Sequence, residues 1–406
     1  MDPIISIANW LEGVLTGWGL APGLVNFLLI LLGVALLATV ALLLAIWLVW
    51  VERKVVARFQ DRLGPNRIGP FGLIQPFADI IKLLIKEDIA PNGIDKVPYN
   101  IAPIIAMATV LILWGIIPLS PVLLGSDINV GLLFIVAMGA ISTLGIIMAG
   151  WACNNKFALL GALREVAMMI SYEVPMVIVL MIPVILASSM GIHKIVEAQS
   201  SIWYIFIVPV AAIIFLISSQ AELGRAPFDL SEAESEIVAG YHIEYTGMKF
   251  GMFYAGELLH AFTVGAIFSS LFLGGWRGPF VNEAPFLGVI YLFIKSLFIY
   301  WVIMWIKYTL PRLRIDHMLS FNWKFLTPLS LALLIVVALL HKLLQNSDPW
   351  VYGLGMLAGN LLVGWVALSI SRRQAKIERK QFEANRPVAR PPESPNPTPI
   401  PDPGGD

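Results

Sequence analysis

The chain alternates long apolar stretches with short, densely charged ones, and the apolar stretches set its architecture. A helical span needs about 20 mostly apolar residues. Nine runs meet that length: residues 24 to 50, 98 to 118, 131 to 152, 166 to 190, 202 to 219, 252 to 274, 286 to 308, 326 to 344 and 350 to 370. The pattern predicts an all-α polytopic membrane protein with about nine transmembrane helices. Residues 1 to 23 form an outer N-terminal segment, 24 to 345 a membrane domain of eight spans, and 346 to 371 an additional ninth span. Residues 372 to 406 are first basic and then proline-rich. They lack apolar periodicity and are expected to form a disordered inner tail.

Two stretches depart from the spanning pattern. LIQPFADIIKLLIKED, residues 73 to 88, follows the turn-rich GPNRIGPFG and is too short and too charged to span. Its polar residues Gln75, Asp79, Lys82 and Lys86 oppose Ile74, Phe77, Ile81 and Leu84, which predicts an amphipathic helix lying in the interface. Pro76 is tolerated there if it falls in the first helical turn. QAELGRAPFDLSEAESEIVAG, residues 220 to 240, sets Glu222, Asp229, Glu232, Glu234 and Glu236 against the single base Arg225. On a helix Asp229, Glu232 and Glu236 would share a face. Carboxylates about 6 Å apart repel by about 2.8 kcal/mol at an effective dielectric of 20, so such a set titrates as a coupled group. Pro227 is expected to break the helix and fold part of the segment back against the membrane domain.

Acids inside the spans are the other candidates. A charged side chain in the bilayer costs several kcal/mol unless it finds partners, which marks Glu173 and Glu257 as functional candidates. Glu173 has a structural alternative, capping the helix disturbed by Pro175 and Pro183. Glu244 lies at the inner approach to the sixth span. The first span has no breaker before Gly64 and Pro65, so its helix should pass the membrane surface with Glu52 and Arg53 near the inner edge. Glu257 and His260 have the spacing of half a carboxylate-bridged di-metal site, but no second such pair exists, so they read as part of a polar path. Arg164 and Glu165 fit a solvated helix end. Lys295, a base within a span, is costly there unless it snorkels or is paired, and any of the buried glutamates could be its partner.

Charge adds orientation. The 27 basic and 27 acidic residues cancel, yet the basic ones cluster in alternate loops. Placing the N-terminus outside gives the inside the basic first loop and the tail with Arg372, Arg373, Lys376, Arg379 and Lys380. That tail requires an odd number of spans. The N-terminal segment lacks a basic region typical of cleavable signals, so the first span should be retained. The single cysteine, Cys153, excludes an internal disulfide and cannot alone hold zinc or an iron–sulfur cluster. No phosphate-binding glycine loop or H-E-x-x-H motif is present, and nothing points to nucleic acid.

GLIQPFADIIKLLIKE (72 to 87) and PFDLSEAESEIVAG (227 to 240) resemble the two signature segments of the family formed by the H subunit of NADH-quinone oxidoreductase, the respiratory complex I. ERKVVARFQDRLGPNRIGPFG, ISYE, EYTGMKF and PRLRIDHML resemble the same family in the same order, so the likeness runs from about residue 24 to 345. The resemblance implies a quinone-reducing, proton-translocating membrane complex of the bacterial plasma membrane, with the tail in the cytoplasm. It implies that Arg53, Gln75, Asp79, Lys82 and Phe228 line or support a quinone chamber. Glu222, Arg225, Asp229, Glu232, Glu234 and Glu236 would form the coupling loop, and Glu173 and Glu257, with Glu52 and Glu244, the path inward. Ubiquinone or another quinone would be the substrate, while NADH, flavin and iron–sulfur clusters would sit on peripheral-arm partners beside further membrane-arm subunits. No metal or covalent cofactor is expected on this chain. His317 stands where the family more often has glutamine, and the ninth span and tail extend beyond its usual core. A homologous subunit of a ferredoxin- or hydrogenase-linked complex is the alternative, and a stand-alone ion carrier is one from a different class.

Overall fold

A computed structural model describes residues 3–17, 19, 21–230 and 234–384. Glu232 lies outside the described residues, and so does the side chain of Glu234. No strand occurs among the described residues, in keeping with the all-α expectation. The helices are α1 (Pro3–Gly17), α2 (Pro22–Phe59), α3 (Gln75–Ile85), α4 (Lys96–Trp114), α5 (Gly131–Ala152), α6 (Lys156–Ala187), α7 (Ile192–Ala198), α8 (Tyr204–Ile207), α9 (Pro209–Glu222), α10 (Glu234–Ile237), α11 (Gly247–Phe272), α12 (Phe286–Thr309), α13 (Ile315–Phe321), α14 (Thr327–Leu344) and α15 (Pro349–Ala384). A π-turn, Asn322–Leu326, joins α13 to α14.

Eight helices among the described residues are long and apolar enough to cross a membrane. The expected span at 202 to 219 is the exception. Val208 and Pro209 divide it into α8 and α9, and the 14 residues of α9 reach only about 21 Å. Its first turn is capped from another element: the Val210 N–H donates to Asn360 Oδ1 of α15 at 2.9 Å. The final helix also departs from expectation. α15 does not stop at 371 but continues to Ala384, because residues 372 to 384 contain no proline or glycine.

The 38 residues of α2 give a helix about 57 Å long, well beyond a hydrocarbon core of about 30 Å. It therefore carries Glu52 and Arg53 past its apolar stretch, as the lack of breakers predicted. α3 is the expected amphipathic helix, with Pro76 in its first turn. The core sits around α11, which packs against α2, α3, α4, α7, α9 and α12. Small residues permit that centrality. Thr263, Ser269 and Ser270 bury their hydroxyls by donating to carbonyls one turn back, at 2.7, 2.7 and 2.9 Å.

Two polar side chains find their partners on the backbone. Lys295 does not reach a glutamate: its ammonium donates to the carbonyls of Leu273, Gly275 and Arg277 at 2.8, 2.9 and 2.8 Å, under the Trp203 ring. Those carbonyls are freed where α11 ends, so the nearest acceptors are backbone. In α6, Pro175 lacks the N–H that would bond the Ser171 carbonyl, and Asn322 Nδ2 of the π-turn supplies that bond at 2.6 Å. Glu173 is thus not the group that caps this break.

Candidate functional site

A buried ion network gathers where α2, α11, α12 and the loop after α9 meet. Arg225 is 1% exposed, and its Nε donates to Glu257 Oε1 at 2.9 Å. Its Nη2 lies 3.7 Å from Glu52 Oε2. Glu52 also accepts from Lys307 Nζ at 2.9 Å, Tyr308 OH at 2.5 Å and Tyr300 OH at 3.4 Å. Lys307 lies 4.0 Å from Glu257, closing a ring of two acids and two bases. Burial alone would loosen the Arg225 proton, but Glu52 and Glu257 outweigh it and hold the guanidinium above its usual pKa. Arg225 is therefore a fixed cation. Lys307, Tyr300 and Tyr308 were missed because they are three ordinary residues of an apolar helix end until α12 turns them towards Glu52.

Next to this ring is a cavity of about 60 Å³ lined by Glu165, Glu222, Glu257, His260, Ser142 and Tyr241, among others. That volume accommodates two or more waters beside polar partners. Two glycines make room for its acids. A Cβ at Gly139 of α5 would lie 2.7 Å from Glu222 Oε1, and one at Gly224 would lie 2.5 Å from Glu165 Oε1. Gly224 has φ +60, which favours glycine and starts the turn after α9. Glu165 is only 3% exposed, so the expected solvated helix end is corrected: α6 turns this carboxylate into the protein. Glu173, on the same helix, is within electrostatic reach of Glu222.

The acidic loop does not form one helical face. The chain from Pro227 to Leu230 is not helical, and α10 contains only four residues. Asp229 pairs with Arg312 at 3.1 Å, whereas Glu236 pairs with Arg164 at 2.6 Å. Asp229 lies in that non-helical stretch, so it does not share a helical face with Glu236. The loop nevertheless folds back as expected, for Phe228 is buried edge-on against Tyr172 of α6 and the Pro227 carbonyl accepts from Leu313 N at 3.1 Å. Glu244 stands apart, accepting from Asn155 Nδ2 at 2.8 Å.

A second ion group joins α2 to α3. Arg53 Nη1 contacts Asp79 Oδ2 at 2.5 Å, and Lys82 lies 3.8 Å from Asp79 Oδ1. Gln75 is half-buried at the start of the same helix, and Phe77, Ile81 and Leu84 expose its apolar face. Among the described residues no group of three His, Cys, Asp or Glu side chains is placed to hold a metal ion.

A multi-pass α-helical membrane protein, with a buried ring of acids and bases opening on a carboxylate-lined cavity, is the class this geometry defines. The family model for NADH dehydrogenase matches residues 32–338, and the chain belongs to that family. It is 47% identical over 290 residues to the H subunit of NADH-quinone oxidoreductase from Dehalococcoides mccartyi (strain CBDB1), covering 71% of this chain and 80% of that protein. The second H subunit of Geobacter sulfurreducens is 46% identical, covering 75% and 93%. The H subunit of Phocaeicola vulgatus is 42% identical, covering 83% and 98%.

Proposed function

We propose that this chain is the membrane subunit of an NADH-quinone oxidoreductase that couples quinone reduction to proton translocation. The buried Glu52–Arg225–Glu257–Lys307 ring beside a cavity lined by further carboxylates carries this reading. Reducing a quinone to quinol consumes two electrons and two protons. The electrons come from iron–sulfur clusters of a partner protein, supplied in turn by flavin and NADH on the peripheral arm. Arg53, Gln75, Asp79 and Lys82, with Phe228, hold the quinone end of the system.

Proton demand at the quinone acts on Glu222, Arg225, Asp229, Glu232, Glu234 and Glu236. It passes inward through Glu173 and Glu257, with Glu52 and Glu244 contributing. Intramembrane acids around a polar cavity large enough for water are the usual material of such a path. The Lys and Arg distribution supports an N-terminus outside a bacterial plasma membrane and a cytoplasmic tail, an arrangement that requires the interrupted α8–α9 segment to complete a ninth crossing beside the eight long helices. The test is Glu222→Gln in the assembled complex, following quinone reduction and proton translocation together. Impaired turnover or lost coupling is expected, and normal values for both overturn the reading.

A further inference from the structure

The basic end of α15 lies beyond residues 32–338, the part matched by the family model, and has no role in the site above. Trp365, Leu368, Ser369, Arg372, Arg373 and Lys376 line a groove of about 400 Å³. Trp365, Leu368, Ser369, Arg372 and Lys376 follow at intervals of three, one, three and four, which places them along one helical face. The stretch from 349 to 371 carries no charge, and residues 365 to 377 contain no Asp or Glu. The 22 residues from Pro349 to Ile370 rise about 33 Å, close to a hydrocarbon core of about 30 Å. Arg372 and Arg373 therefore fall at phosphate depth, Trp365 and Leu368 at the upper acyl chains, and Lys376 about 6 Å further out.

We propose that this groove binds the headgroup of an anionic phospholipid. The basic residues would take the phosphate, Arg372 and Arg373 with forked hydrogen bonds, and Trp365 and Leu368 would lie along the acyl chain. A helix that continues unbroken past the apolar stretch keeps these cations in register, whereas a disordered basic tail would give only diffuse attraction. The assignment does not depend on which leaflet the helix enters.

The experiment uses the whole complex in nanodiscs containing photoactivatable phosphatidylglycerol or, in parallel, the same phosphatidylcholine analogue. Labelling of the 365–379 peptide is read by mass spectrometry. Selectivity of about a hundredfold for phosphatidylglycerol, the product of the three cations' contributions, is expected in the wild-type protein. Triple Arg372→Gln, Arg373→Gln, Lys376→Gln substitution should abolish it, at about fivefold in affinity for each cation removed. If the triple variant does not assemble, Lys376→Gln alone should show the single fivefold step. Arg372→Lys with Arg373→Lys, which keeps the charge, should retain most of the selectivity. Equal labelling by both lipids, or selectivity unchanged by removing the cations, overturns the proposal. So does loss of labelling in millimolar inorganic phosphate, which would identify a free-phosphate site instead.

Discussion

Replacing Arg225 by Met removes the cation shared by Glu257 and Glu52, and the geometry says which acid suffers. Glu52 keeps Lys307 at 2.9 Å and Tyr308 at 2.5 Å. Glu257 keeps Lys307 at the longer distance of 4.0 Å. Breaking a buried pair from one side costs about 3–5 kcal/mol, because the remaining charge stays desolvated. Most of that penalty should fall on Glu257. Large membrane complexes lose activity irreversibly, so the measurable quantity is a half-life at fixed temperature. If about 3 kcal/mol is fully expressed in the unfolding rate, the half-life shortens about 100-fold. Adding Glu257→Gln to the Arg225→Met protein should recover much of the loss, and adding Glu52→Gln should recover little. Half-lives of quinone reduction for the four proteins, each normalised to assembled complex on native gels, supply the comparison. Equal rescue by the two second substitutions, or none by Glu257→Gln, refutes the placement of Arg225 as chiefly the partner of Glu257.

Asp79→Asn loses the contacts to Arg53 and Lys82, but these groups are partly exposed, so stability should change by about 1 kcal/mol or less. Quinone turnover in the assembled complex should nevertheless fall about tenfold, and unchanged steady-state kinetics would remove Asp79 from the quinone site. Gly139→Ala places a methyl 2.7 Å from Glu222 Oε1, so it should displace that carboxylate, lowering proton translocation per quinone reduced with little change in assembly. Burial, with the nearby Glu244 carboxylate, pushes the Cys153 thiol up to about 12. Since the thiolate is the reactive form, alkylation of the native protein should be slow at pH 8 and rise about tenfold per pH unit while the fold is intact. Rapid labelling at pH 7 would contradict the burial.

Much of the fold was legible because length and period are local properties. Apolar runs foretold the spanning helices, the four-three-four spacing foretold α3, and the absence of breakers foretold the reach of α2. Pairings across the chain were not legible. Asp229 and Glu236 are separated by partners 83 and 72 residues distant, and the buried Glu165 lies against the turn at Gly224, 59 residues on. Asn322 gives no sign in sequence that it will repair the backbone gap left by Pro175. The candidate acids could be nominated from their cost in the membrane. Their grouping depended on which helices touch, a property that spacing along one segment does not encode.

Glu52 and Arg53 are neighbours on one rigid helix, yet they serve different networks. Glu52 enters the ring with Arg225 and Lys307, while Arg53 meets Asp79 of the interfacial helix. Successive side chains on an α-helix diverge by about 100° and rise by only 1.5 Å. One peptide bond thus forms the boundary between the two charge systems. A small roll of α2 would shorten contacts on one side as it lengthens those on the other, making the helix a rocker rather than a wire.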